Sequence, residues 1–75
     1  MSRYVIEVSG VTYAYGFDEP THTYFLNVHD GSNWRGLVGD LSDVPGTGIN
    51  LAHHLERLGV GNVHHIAAAL SDQPI

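Results

Sequence analysis

Residues Tyr4–Val28 read YVIEV-SG-VTYAYGF-DEPT-HTYFLNV, and the reading of this stretch decides the architecture. Two runs rich in β-branched and aromatic residues, Tyr4–Val8 and Val11–Tyr15, are separated by Ser9-Gly10. A two-residue connection ending in glycine suits a tight hairpin, because glycine takes a positive φ without steric cost. Closing the chain there sets Val8 against Val11, Ile6 against Tyr13 and Tyr4 against Tyr15, with Glu7 facing Thr12 and Val5 facing Ala14 on the other side. Asp18-Glu19-Pro20-Thr21 supplies a second turn, since proline presets φ and aspartate bonds its own backbone. That loop sets Phe17 against His22, Tyr15 against Tyr24, Tyr13 against Leu26 and Val11 against Val28. One apolar face results, made of Tyr4, Ile6, Val8, Val11, Tyr13, Tyr15, Tyr24, Leu26 and Val28. A slip of one residue would put Phe25, Asn27 and His29 there instead, so the hydrophobic pattern selects the register. Tyr13 is expected at the centre of the core, while Tyr4, Tyr15 and Tyr24 gather at one end and offer the lining of a pocket mouth.

A sheet with one apolar face needs a covering layer, and the C-terminal half supplies it. Leu51, Leu55 and Leu58 recur at helical spacing, with Ala52 beside them and Gly59 as a stop. After a short connection, Asn62 can cap a second helix whose apolar face is Val63, Ile66, Ala67 and Leu70; Pro74 lies beyond its end. The two form an αα-hairpin laid across the sheet. Between sheet and helices, Trp34–Val38 reads as a short fourth strand, and the breaker-rich stretch 39–47 as a linker. The predicted fold is therefore an α+β two-layer domain: an antiparallel meander of three to four strands in the order 1-2-3-4 (residues 3–38), covered on one face by helices at 48–58 and 62–71.

Composition narrows the function classes. The 75 residues carry a formal charge of −5, with arginine only at positions 3, 35 and 57 and no lysine. Without a basic stripe to follow a phosphate backbone, direct nucleic-acid binding is not expected; attraction to a basic protein groove is. No cysteine is present, so neither disulfides nor thiolate metal sites reinforce the fold. No apolar run approaches the ~20 residues of a membrane span and no signal-type segment opens the chain, which leads to an expectation of a cytoplasmic protein without membrane contact.

Six histidines, at 22, 29, 53, 54, 64 and 65, are the most unusual feature. Adjacent histidines on a helix point about 100° apart, and no H-x-x-x-H occurs, so ligands would have to converge between helices. Solvated helix faces are the expectation, with no metal or other cofactor, and a metal- or pH-sensing module is an alternative. Asp18, Glu19 and His22 surround one turn, but no nucleophile motif accompanies them; an enzyme or ligand binder at the tyrosine end is a further alternative. Gly46-Thr47-Gly48 precedes a helix without the lysine of a phosphate loop, and Thr47 is expected to cap it.

Tyr15-Gly16-Phe17-Asp18-Glu19-Pro20 followed by Tyr24-Phe25 is similar to a stretch found in small bacterial proteins of unassigned function, which carry Tyr-Gly-aromatic-Asp ahead of Tyr-Phe. The resemblance covers about ten residues and implies no activity. On the sheet face opposite the helices, Val5, Ala14, Phe17, Phe25, Asn27 and His29 are expected to form a mixed patch centred on Phe25. Trp34, beside Arg35 and after a turn, serves either as a core anchor or as an interface residue. The first strand has neither proline nor lysine to blunt its edge, and only Glu7 is charged in its interior. Non-catalytic protein binding or self-association is the expected function, through Val5, Glu7, Phe25, Asn27, His29 and Trp34. The partner is another protein or a second copy in a homodimer. A mobile-element inhibitor or adaptor, of the anti-CRISPR or anti-restriction kind, is one form of this.

Overall fold

The structure, a computed structural model, describes residues 3–39, 42–60 and 63–75. Four strands, β1 (Tyr4–Val8), β2 (Val11–Asp18), β3 (Thr23–Asp30) and β4 (Asn33–Val38), precede two helices, α1 (Gly48–Leu58) and α2 (Val63–Leu70). The sheet is an antiparallel meander in the order β1-β2-β3-β4, as the alternation predicts.

The first hairpin closes as expected, from Val8↔Val11 to Tyr4↔Tyr15. Ser9 and Gly10 both take positive φ, 52° and 79°, the type I′ conformation whose twist matches that of the strands. The second hairpin closes one residue later than predicted. Its loop is Glu19-Pro20-Thr21-His22, locked by a 3.1 Å bond from His22 N–H to the Glu19 carbonyl and by His22 at φ 53°. β2 runs one residue further and β3 starts one residue later, so the partner of each β2 residue moves by two: Tyr15 faces Leu26, Tyr13 faces Val28 and Phe17 faces Tyr24. An even shift keeps every side chain on its face. It does correct the placement of Phe17. By alternation Phe17 lies with Tyr13 and Tyr15, and it is a core residue, 2% exposed, rather than part of the opposite patch. Its ring meets the edges of Tyr24 at 4.8 Å and His22 at 5.1 Å.

β4 contains a bulge. Gly36 pairs with Asn27 but Val38 with Leu26, leaving Leu37 as the extra residue. Trp34 and Val38 therefore point to opposite faces although their numbers share parity. Val38 is buried in the core; Trp34 is not.

α1 buries Leu51, Ala52 and Leu55 against the sheet. Thr47 caps it, its hydroxyl accepting from Asn50 N–H at 3.3 Å, as predicted. Gly59 ends it at φ 75° and, with Val60, returns N–H bonds to Leu55 and Glu56. The proposed cap of the next helix, Asn62, lies outside the described residues. α2 crosses α1 so closely that a Cβ on Gly48 would overlap the Ala69 carbonyl. The face it turns inward differs from the predicted one: Ala69 is buried and His65 and Ile66 half-buried, while Val63 (72%) and Leu70 (54%) are exposed along with Ala67. The expectation of solvated histidines fails at His65, which packs on the sheet.

The described residues between β4 and α1 are held by backbone hydrogen bonds rather than free. Tyr24 N–H donates to the Gly46 carbonyl at 3.0 Å, and Gly39 N–H to that of Val44 at 2.9 Å. A Cβ on either Gly39 or Gly46 would collide with the Tyr24 carbonyl oxygen.

Candidate functional site

The register brings the six residues singled out from the sequence to one place. Glu7, Thr12, His29 and Trp34 form a row across all four strands, and Val5, Ala14, Asn27 and Gly36 form the next, followed by Gly16 beside Phe25. Val5, Glu7, Phe25, Asn27, His29 and Trp34 thus share the face turned away from the helices. Trp34 joins it through its pairing with His29 next to the β3–β4 turn, and the bulge further along β4 is what turns Val38 to the core instead.

Along β2 this face has small side chains, Thr12, Ala14 and Gly16. Ala14 and Gly16 are nonetheless buried, so their larger neighbours close over them; Phe25, directly across from Gly16, is half-buried. Val5 and Trp34 remain open to solvent at 60% and 42%. The His29 ring meets Trp34 edge to face at 5.0 Å, and the Arg3 guanidinium carbon lies 5.5 Å from the Trp34 ring centroid, within the range of a cation–π contact. Arg3 was not anticipated from the sequence. The signal was present, since Arg3 has the parity of Val5 and Glu7. Charge sits at the margins of the face, with Arg3 just before β1, Glu7 on β1 and Asp18 at the end of β2.

The tyrosine end is built differently. Tyr15 and Tyr24 belong to the buried core, while Tyr13, expected at its centre, is only half-buried. The Tyr15 hydroxyl shares a 2.9 Å hydrogen bond with His65 Nδ1, and the His65 ring lies 4.2 Å from that of Tyr4, which stacks on Tyr15 at 5.5 Å. Tyr24 donates from its hydroxyl to the Gln73 carbonyl at 2.7 Å. These bonds tie α2 and the C-terminal tail to the sheet. Burial pushes both hydroxyls above their ordinary value of 10.0, with Tyr4 adding to the effect at Tyr15 and the Asp72 carboxylate at Tyr24. The spacing of His65 and Ala69, one helical turn apart, was the available sequence signal for the inward face of α2.

The remaining histidines do not gather. His54 donates from Nδ1 to the Asn50 carbonyl at 2.9 Å, since a carbonyl can only accept. His22 is at the exposed turn beside Glu19. Among the described residues no three His, Cys, Asp or Glu side chains converge on a metal position. At the start of α1, a carboxylate oxygen of Asp72 lies 3.2 Å from the Cβ position of Gly48, so the chain's own anion stands at this helix N-terminus.

No protein-family model, curated protein or solved structure matches the chain. Among the described residues no helix is long and apolar enough to cross a membrane.

Proposed function

We propose that the chain is a non-catalytic protein-binding domain that docks a partner on the outer face of its sheet, and that the partner presents an apolar surface rimmed with basic residues. The observation that supports this is the single face shared by Val5, Glu7, Phe25, Asn27, His29 and Trp34, with an aromatic ring and a branched side chain exposed on it. Exposed Trp set among Arg and smaller apolar groups is the composition of energetic centres in protein interfaces, and the charge of −5 favours a cationic rim. A small acidic inhibitor or adaptor acts in this way.

The test compares capture by immobilised wild type, Trp34→Ala and, as a control on the helical side, Ile49→Ala, followed by reconstitution with the purified partner. Loss of binding of tenfold or more in Trp34→Ala alone is expected. Weakening is also expected as salt rises from about 0.1 M to about 1 M, where the screening length falls from about 10 Å to about 3 Å. Equal binding by all three proteins would remove the outer face as the docking surface.

A further inference from the structure

We infer that β1 is a self-association edge, pairing antiparallel with β1 of a second copy about a two-fold axis through Val5. The geometry of the first hairpin sets which backbone groups are available. In a two-residue hairpin the residues flanking the turn form a hydrogen-bonded pair, and such pairs alternate with non-bonded ones along the strands. Val8↔Val11, Ile6↔Tyr13 and Tyr4↔Tyr15 are therefore the bonded pairs, and Val5 and Glu7 turn their N–H and C=O groups outward. Among the described residues no strand lies beyond β1, and no loop or turn backbone bond reaches it.

Three symmetric registers pair both Val5 and Glu7 with odd-numbered residues within the stretch 3–9. An axis through Glu7 sets two carboxylates directly opposite each other, which is unfavourable. An axis through Ile6 sets Glu7 against Val5 and Arg3 against Ser9, leaving every charge without a partner. An axis through Val5 sets Arg3 against Glu7 twice, with Val5 on Val5 between them; the exposed Arg3 side chain, whose guanidinium carbon lies 5.5 Å from the Trp34 ring centroid in the single copy, exchanges that contact for Glu7 of the second copy. On the other face it sets Tyr4 against Ile6 twice. Tyr4 and Ile6 are half-buried residues at the margin of the core, so this pairing continues the same core into the second copy. The pattern cation, apolar, anion over Arg3, Val5 and Glu7 is its own antiparallel complement, and that is what selects a second copy as the occupant. The product is an isologous dimer in which two four-stranded sheets join into one, and both outer faces lie on the same side. The inference does not depend on any partner docking there.

Sedimentation equilibrium of the purified full chain over a dilution series tests it. Wild type is expected to dimerise, and Glu7→Arg, which leaves the Arg3–Trp34 contact alone, to weaken the dimer about tenfold. Arg3→Glu is expected to do the same, and the double variant Arg3→Glu/Glu7→Arg to recover wild-type association. Val5→Pro removes an outward N–H without touching the β1–β2 ladder, and is expected to be monomeric with an unchanged circular dichroism spectrum. A wild type that stays monomeric near 1 mM in order of magnitude, or single variants that associate like wild type, or a double variant that fails to recover, would each overturn the inference.

Discussion

Tyr15 shows how a single residue joins packing to pH response. Its ring is in the core and its hydroxyl reaches His65 on α2, so one side chain clamps the second helix to the sheet. Burial raises its pKa, and that of Tyr24, above 10.0. The direction of the pH effect is set by which state ionises first. Below the unfolded value both states hold the proton and the contribution to stability is complete; as pH climbs past it, the unfolded chain loses protons that the folded chain keeps, and stability falls until the folded value is passed. Thermal unfolding is therefore expected to shift to lower temperature above about pH 10, and more weakly in Tyr15→Phe. The same variant loses one hydrogen bond and is expected to be destabilised by about 1 kcal/mol at neutral pH. An alkaline slope identical in wild type and Tyr15→Phe would contradict this assignment.

At the scale of elements, the sheet and the span of α2 were legible and the inward face of α2 was not, for a physical reason. Strand alternation is binary: once Tyr13 is on a face, so are Tyr15 and Phe17, and a loop displaced by one residue per strand leaves that assignment intact. The bulge at Leu37 has no such protection, because an extra residue inverts the parity of the strand beyond it. It turns Val38 to the core while Trp34, paired with His29, faces outward, which residue types alone did not determine. α2, with the sequence VHHIAAAL, has no charged residue to mark a solvent side. Of the predicted stripe Val63, Ile66, Ala67 and Leu70, only Ile66 packs against the core and the other three are exposed, while the polar His65 turns inward because Tyr15 supplies a partner. Two alanines two residues apart separate these orientations. Ala69→Leu inserts methylenes into a packed contact and is expected to cost about 1–3 kcal/mol; Ala67→Leu stays in solvent and is expected to change stability by less than about 0.5 kcal/mol. Chemical denaturation of the two variants gives the comparison, and the reverse order would restore the predicted face.

For the whole molecule, the decisive quantity is charge density. The chain folds to a radius of gyration of 11.2 Å, with extents of 32 × 25 × 19 Å, close to the ~11 Å expected of a compact domain of this length. Its formal charge of −5 is therefore confined within distances comparable to the ~30 Å screening length at about 0.01 M salt, but well beyond the ~8 Å length at about 0.15 M. Self-repulsion opposes the compact state and relaxes when the chain expands, so screening acts mainly on the folded side. Raising the salt between those limits is expected to stabilise the protein by about 1 kcal/mol, which for a domain of this size raises the melting temperature by about 4–8 °C. The measurement belongs on Val5→Pro, where the association proposed through β1 would be blocked and could not add its own salt dependence. Repeating it on Arg35→Glu, which substitutes an exposed cation, should enlarge the shift. A melting temperature indifferent to salt in both variants would show that the acidic groups are too well separated or too well hydrated to oppose folding. The proposed preference for a basic partner would then rest on local contacts at the outer face and not on the field of the whole domain.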